Sequence, residues 1–146
     1  MFKKIAFSAL CAAVAFTSIG AAYAKDLKVA SNTTFPPFEF VNSKTNEITG
    51  FEMDLIKAMG KQAGYNVIIQ NMGFDGIIPG ILAGTVDVGA SGISITAERQ
   101  KKVLFTDPFY ESGLTILVNK NDADKIHGFA DLKGKKIAVQ IGTTAA

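Results

Sequence analysis

Residues 89–99 read GASGISITAER, a short apolar run that gives way to Ser91, Gly92 and Ser94 and then, one turn beyond Thr96, to Arg99. A guanidinium offers a planar fork of N–H donors that matches a carboxylate, and free N–H groups at a helix start favour the same negative charge. Hydroxyl and carbonyl acceptors such as Ser94 Oγ and the Gly92 carbonyl suit the complementary group, an ammonium with three donors. A carboxylate and an ammonium a few ångströms apart describe the head of a free α-amino acid. Asn32 and Phe35 follow one β-rich run and Phe74 follows another, so two aromatic rings are available to flank the aliphatic part of such a ligand and exclude water from its polar contacts.

Taken singly these residues have plainer readings. A Phe after a strand is most often core, and Arg99 in AERQKK is most often a solvated helix charge. Their joint placement at successive strand ends favours a site. Other chemistry finds no support: GFDGIIPG lacks both the dinucleotide fingerprint and the phosphate-loop lysine, and no Ser sits in a nucleophile elbow. Glu98 and Glu111 lack a visible catalytic partner, and the single histidine, His127, lies in the polar stretch NDADKIHGF, where a solvated loop residue is expected. With no second His, no transition-metal site is expected, and no cofactor.

The elements that must position these residues follow from periodicity. LKVAS (27–31) and FEFVN (38–42) read as two strands around a loop. Apolar residues at Phe51, Leu55, Ile56, Met59 and Ala63 recur at helical spacing up to Gly64. YNVIIQNM (65–72) reads as a buried strand, FDGIIPGILAG (74–84) as a helix capped by Asp75 and ended by Gly84, with Pro79 near its first turn, and VDVGAS (86–91) as a third strand. Strand, helix, strand, helix, strand is the rhythm of a parallel sheet, and ligands of open α/β sheets sit beyond the carboxyl ends of the strands. Thr96 can cap the brief helix of AERQKK, GLTILVNK (113–120) and KKIAVQ (135–140) read as further strands, and IGTTAA as the start of another helix.

The N-terminus has its own logic. MFKK carries two charges, IAFSALCAAVAFTSIG is apolar or small, and Ala22-Tyr23-Ala24 precedes the charged Lys25-Asp26, the pattern of a cleaved secretory signal peptide over residues 1–24. The apolar run is shorter than the roughly 20 residues a spanning helix needs. The only cysteine, Cys11, lies inside it, so the exported chain has no thiol, disulfide or thiolate metal site, which fits a bacterial periplasm. Without Lys3 and Lys4 the basic and acidic residues balance, and no basic run points to nucleic acid.

With these motifs in view, the chain resembles the periplasmic solute-binding proteins of polar amino-acid ABC transporters, the glutamine-binding type of family 3. GFEMDLIKAMGKQA (50–63) matches that family's signature, and FPPFEF, GFDGIIPGILAGTVDV, SGISITAERQKKVLFTDPFY and GKKIAVQIGTT match in order and spacing. The resemblance implies an α/β fold of the periplasmic binding protein type II kind, a two-lobed clamp that closes about a hinge. Lobe 1 is expected over 25–112, a crossover strand at the hinge over 113–119 and a partial lobe 2 over 120–146, because the family's further strands, its ammonium-site acid and its return segment do not appear before Ala146.

Carried over by position, Arg99 grips the α-carboxylate, assisted by Ser94 and the backbone of Thr144, while Ser94 and the Gly92 carbonyl hold the ammonium. Phe35 and Phe74 sandwich the side chain, Asn32 and Gln140 face its tip, and Ser91 and Thr143 complete the lining. The neutral Asn32 and Gln140, where glutamine binders of the family tend to carry an acid and a lysine, point to a polar neutral amino acid. The partners implied are that amino acid and an inner-membrane permease, with no nucleic acid and a monomeric chain. Two other readings stay open: the extracellular sensing lobe of a signalling receptor, and a dehydratase of the same architecture, since fold alone does not confer activity.

Overall fold

β1, Lys25–Ser31, organises the molecule, and its burial rises along its length until Val29, Ala30 and Ser31 are fully covered. The structure is a computed structural model that describes residues 24–146, so the expected signal peptide, with Cys11, lies outside the described residues except for Ala24. After β1 come three short strands, β2 (Thr34–Phe35), β3 (Glu39–Val41) and β4 (Ile48–Thr49), which pair antiparallel in that order. Then follow α1 (Phe51–Gln62), β5 (Tyr65–Asn71), α2 (Phe74–Leu82), β6 (Val88–Gly89) and the single-turn α3 (Ala97–Gln100). β5, β1 and β6 form a parallel sheet in the order β5-β1-β6, as the strand–helix rhythm predicts.

Because successive strand residues face opposite ways, β1 seeds two cores. Val29 packs with Met53 of α1 and Ala90 on one face, while Ala30 packs with Ile77 of α2 and Val86 on the other. Truncating the fully buried Ile77 to Ala costs about 2–5 kcal/mol. Both helices lie close to the sheet because glycine lets them: a Cβ on Gly89 would stand 2.7 Å from Ile77 Cγ2. Each helix has its C-cap, Ala63 or Ala83, immediately before a glycine of positive φ, Gly64 at 79° and Gly84 at 69°, the left-handed exit that L-residues with a Cβ avoid.

Several expectations are corrected. The buried stripe of α1 is Glu52, Met53 and Gly60, with Ile56 packed beside it, whereas Phe51 and Met59 are about half exposed (49% and 48%). The apolar face chosen from periodicity is thus rotated from the one that meets the sheet, where Gly60 and an acid permit closer approach. β5 is an edge strand paired only with β1, and its residues are exposed or half-buried rather than core. The ladder at the third strand covers only Val88–Gly89, since Ser91 and Gly92 turn away to make side-chain and loop contacts.

Asp75 does not cap α2. Gly73 is the N-cap, without a side-chain bond, and Asp75 is the second helical residue; Pro79 is the sixth, beyond the first turn. Residues 113–119 and 135–140 form no strand, although Lys120–Asp122 and Phe129–Leu132 make short 3-10 turns. An apolar run becomes a strand only when a neighbour satisfies its ladder; here Leu117 is 98% exposed, and no segment among the described residues pairs with either run. IGTTAA is a pair of turns, with Thr143 N donating to Gln140 O and Ala146 N to Thr143 O (both 3.3 Å).

Candidate functional site

The carboxyl ends of the three parallel strands are laced together. Met72 N donates to Ser31 O (2.9 Å) and Ala90 N to Ala30 O (2.9 Å), which brings the loops after β5 and β6 to either side of Asn32. Asn32 N donates to Ser91 Oγ (2.9 Å), and its side-chain Nδ2 donates to Met72 O (3.0 Å). That second bond fixes the amide. Asn32 Oδ1 is left to accept, from Thr34 Oγ1 at 2.7 Å and from Gln140 Nε2 at 2.9 Å.

Arg99 is delivered by α3, whose N-cap Thr96 accepts from Arg99 N (3.2 Å) as the sequence predicts. Its guanidinium lies over the Phe74 ring, 5.6 Å from the centroid, within reach of a cation–π attraction. One terminal nitrogen donates to Ser94 O and the other to Gly142 O, both at 2.9 Å. Neither of the two ion pairs among the described residues involves Arg99, so its charge meets only neutral carbonyls. Gly142 comes this close because it has no Cβ: one there would stand 2.9 Å from Asp75 Cα.

Phe35 stacks on Phe38 (centroids 5.5 Å apart, planes 16° apart), is 53% exposed, and borders Gly92, whose φ of 54° opens the loop after β6. The expected residues thus form two contact groups, Asn32 with Gln140 and Arg99 with Phe74 and Ser94, joined through the turn from Gln140 to Gly142, with Phe35, Ser91 and Gly92 adjoining them. Thr143 Oγ1 donates to Gln140 O (2.8 Å) and so braces the turn. The carbonyl of Gly142, in the same turn, reaches Arg99. An apolar cavity of about 910 Å³ shares Phe35, Gly92 and Ser94 with this region and continues under residues 102–112.

Two residues escaped the sequence reading. Glu39 and Glu52 are buried, 1% and 5% exposed, behind Ser91 and Gly92. Ser91 Oγ donates to Glu39 Oε1 (3.2 Å), and Gly92 N donates to Glu52 Oε2 (2.7 Å). Burial, and then the charge of Glu52, push the Glu39 carboxyl up to about 8. Burial also raises Glu52, against the opposing bond from Gly92 N–H. The signal for Glu39 was present but inverted: alternation in FEFVN makes an acid between two Phe a solvent-facing residue, and an acid at the second position of a helix reads as a dipole partner.

The fold is an α/β unit that gathers Arg99 and its neighbours beyond the carboxyl ends of its parallel strands. The chain belongs to the bacterial extracellular solute-binding proteins, family 3, whose pattern residues 27–142 match. It is 40% identical over 142 residues to ABC transporter arginine-binding protein 1 of Escherichia coli (strain K12), covering 97% of this chain and 56% of that protein. An ancestral arginine-binding protein bound to arginine superposes with a TM-score of 0.79 at 44% identity, over 84% of this chain and 53% of that one. The ancestral amino acid-binding protein AncCDT-1, a precursor of cyclohexadienyl dehydratase, gives 0.74 at 44% identity over 82% and 53%. The chain spans about half the length of the curated relatives it matches. The α/β periplasmic-binding-protein fold read from the sequence is the fold of these relatives, of whose length this chain covers about half.

Proposed function

We propose that this chain is the amino-acid-binding part of a periplasmic component of an ABC transporter, and that it recognises a free α-amino acid whose side chain ends in a hydrogen-bond donor. The observation that carries this reading is Arg99, a guanidinium seated on an aromatic face and bonded to two neutral carbonyls, with no carboxylate partner among the described ion pairs. An incoming α-carboxylate that replaces the Gly142 carbonyl exchanges a neutral acceptor for a charged one, and charge-assisted bonds are roughly twice as strong. Ser94 and the Gly92 carbonyl stand nearby for the ammonium, and Phe35 and Phe74 are the candidate walls.

The tip is read by Asn32. Its Nδ2 is committed to Met72 O, so the group it offers the cleft is the Oδ1 acceptor that Gln140 now occupies. A guanidinium, an amide NH₂ or an imidazole N–H can take that place, whereas a carboxylate cannot. This widens the neutral-ligand expectation to arginine, in keeping with the arginine-binding relatives. We favour binding over catalysis because the two acids next to the site are turned toward Ser91 and Gly92, where they accept the protein's own donors. Calorimetric titration with L-arginine, L-glutamine, L-histidine and L-glutamate tests the proposal. Binding of donor-tipped amino acids with rejection of L-glutamate is expected; equal binding of L-glutamate, or no binding by any of the four, overturns it.

A further inference from the structure

We infer that Glu39 and Glu52 together hold one proton and act as positioning residues for the amino-acid head site, so that loss of this proton disorders the Ser91–Gly92 segment and releases the ligand. The inference rests on the binding reading above. It begins from a geometric oddity: two acids from different elements, β3 and α1, are buried together and grip consecutive residues of the loop that carries the site. Ionised carboxylates are acceptors only. Glu39 Oε2 is buried with no hydrogen-bond partner, which is costly for an anionic oxygen and marks the place for a proton.

Among the described residues no cation forms an ion pair with either acid. β2 and β4, which flank β3, carry no titratable side chain. Of the charged residues on α1, Asp54, Lys57 and Lys61 are exposed, and Lys57 Nζ donates to Ile48 O. Lys102, which lines the cavity shared with Glu52, pairs with Glu98 at 2.9 Å. Two like charges in such a place favour retention of one proton, and the raised Glu39 agrees with this. With the proton, the pair anchors Ser91, which in turn receives Asn32 N–H, and Gly92, whose carbonyl faces the ligand ammonium in the proposed pose. Without it, repulsion separates β3 from α1 at the point where both hold the loop.

The test compares wild type, Glu39→Gln, Glu52→Gln and Glu39→Ala. Gln at position 39 keeps an acceptor for Ser91 and replaces the proton with a permanent N–H donor, and Gln at 52 keeps an acceptor for Gly92. Calorimetry with L-arginine and L-glutamine runs from about pH 6 to about pH 9.5, and urea unfolding without amino acid runs from about pH 4.5 to about pH 9, the range that brackets ordinary and raised carboxyl groups. Glu39→Gln is expected to bind within about threefold of wild type near pH 7, and Glu39→Ala much more weakly. By about pH 9 wild type should lose about tenfold more affinity than either Gln variant, the fraction expected when only the protonated pair is competent. The ligand's own titration is common to all variants and cancels.

Without ligand, the wild-type unfolding constant should rise with pH relative to Glu39→Gln by up to about tenfold per unit between about pH 4.5 and about pH 8. Parallel pH profiles for wild type and both Gln variants, in binding and in unfolding, overturn the inference. If neither amino acid binds any variant while the unfolding slope remains specific to wild type, the shared proton stands and the reading of the site falls.

Discussion

Replacing Arg99 by Ala removes the one cation of the head site, and the structure allows its effects on binding and on folding to be separated. In the free protein the guanidinium makes two bonds to neutral carbonyls, Ser94 O and Gly142 O, and rests on Phe74. Each such bond contributes about 0.5–1.5 kcal/mol net, so the folded state should lose only about 1–3 kcal/mol. With amino acid bound, the same change leaves the α-carboxylate desolvated and unpaired. Removing one partner of a buried pair costs about 3–5 kcal/mol, and because Arg99 is only half-buried the lower end, about 3 kcal/mol or roughly 150-fold in Kd, is the expectation. Arg99→Lys keeps the charge but not the planar fork and should recover only part of this. Calorimetry for affinity and urea unfolding for stability read the two effects independently. Unchanged affinity in a folded Arg99→Ala protein would refute the carboxylate seat.

Phe35→Ala should weaken binding with a stability loss under about 1 kcal/mol, since that ring is already half exposed; Phe74→Ala should weaken binding and also destabilise by about 1–3 kcal/mol, because Phe74 packs against the Ala30–Ile77–Val86 cluster, and chemical denaturation distinguishes the two. Asn32→Asp places a charge at the Oδ1 acceptor and should shift preference toward L-arginine over L-glutamine by about tenfold, measured as the ratio of their Kd values, with an unchanged ratio counting against Asn32 as the reader of the tip. Glu39, whose folded-state carboxyl is raised to about 8 from the ordinary value of 4.5, binds its proton more tightly in the native state, so its stabilising effect is complete below about pH 4.5 and is lost as pH rises to about 8. Stability of the wild type should therefore fall by about 1 kcal/mol per pH unit across that window relative to Glu39→Gln, and a flat difference in urea midpoints would contradict the assignment.

What could be read from sequence was whatever depends on local pattern. α1, β1, α2 and the Thr96 cap follow from periodicity and capping chemistry, and the candidate site residues Asn32, Phe74, Ser94 and Arg99 were chosen from where those elements end. The buried face of α1 was misread because it is built from Glu52, Met53 and Gly60, in which the acid and the glycine hide the stripe that hydropathy seeks. The Glu39–Glu52 pair was invisible for a related reason: the two acids are adjacent only after β3 folds against α1, and nothing local distinguishes a buried acid from a solvated one. The expected strands at 113–119 and 135–140 show the opposite failure. Their composition is β-like, but a strand exists through its neighbour, and no neighbour is supplied among the described residues.

The central claim, that Arg99 seats the carboxylate of a free amino acid, is tested most directly by titrating the protein with L-arginine and with L-argininamide, which differ only in whether the head carries a carboxylate. The account predicts that L-arginine binds and that the amide binds about 100-fold more weakly or not detectably. Equal affinity for the two would contradict it.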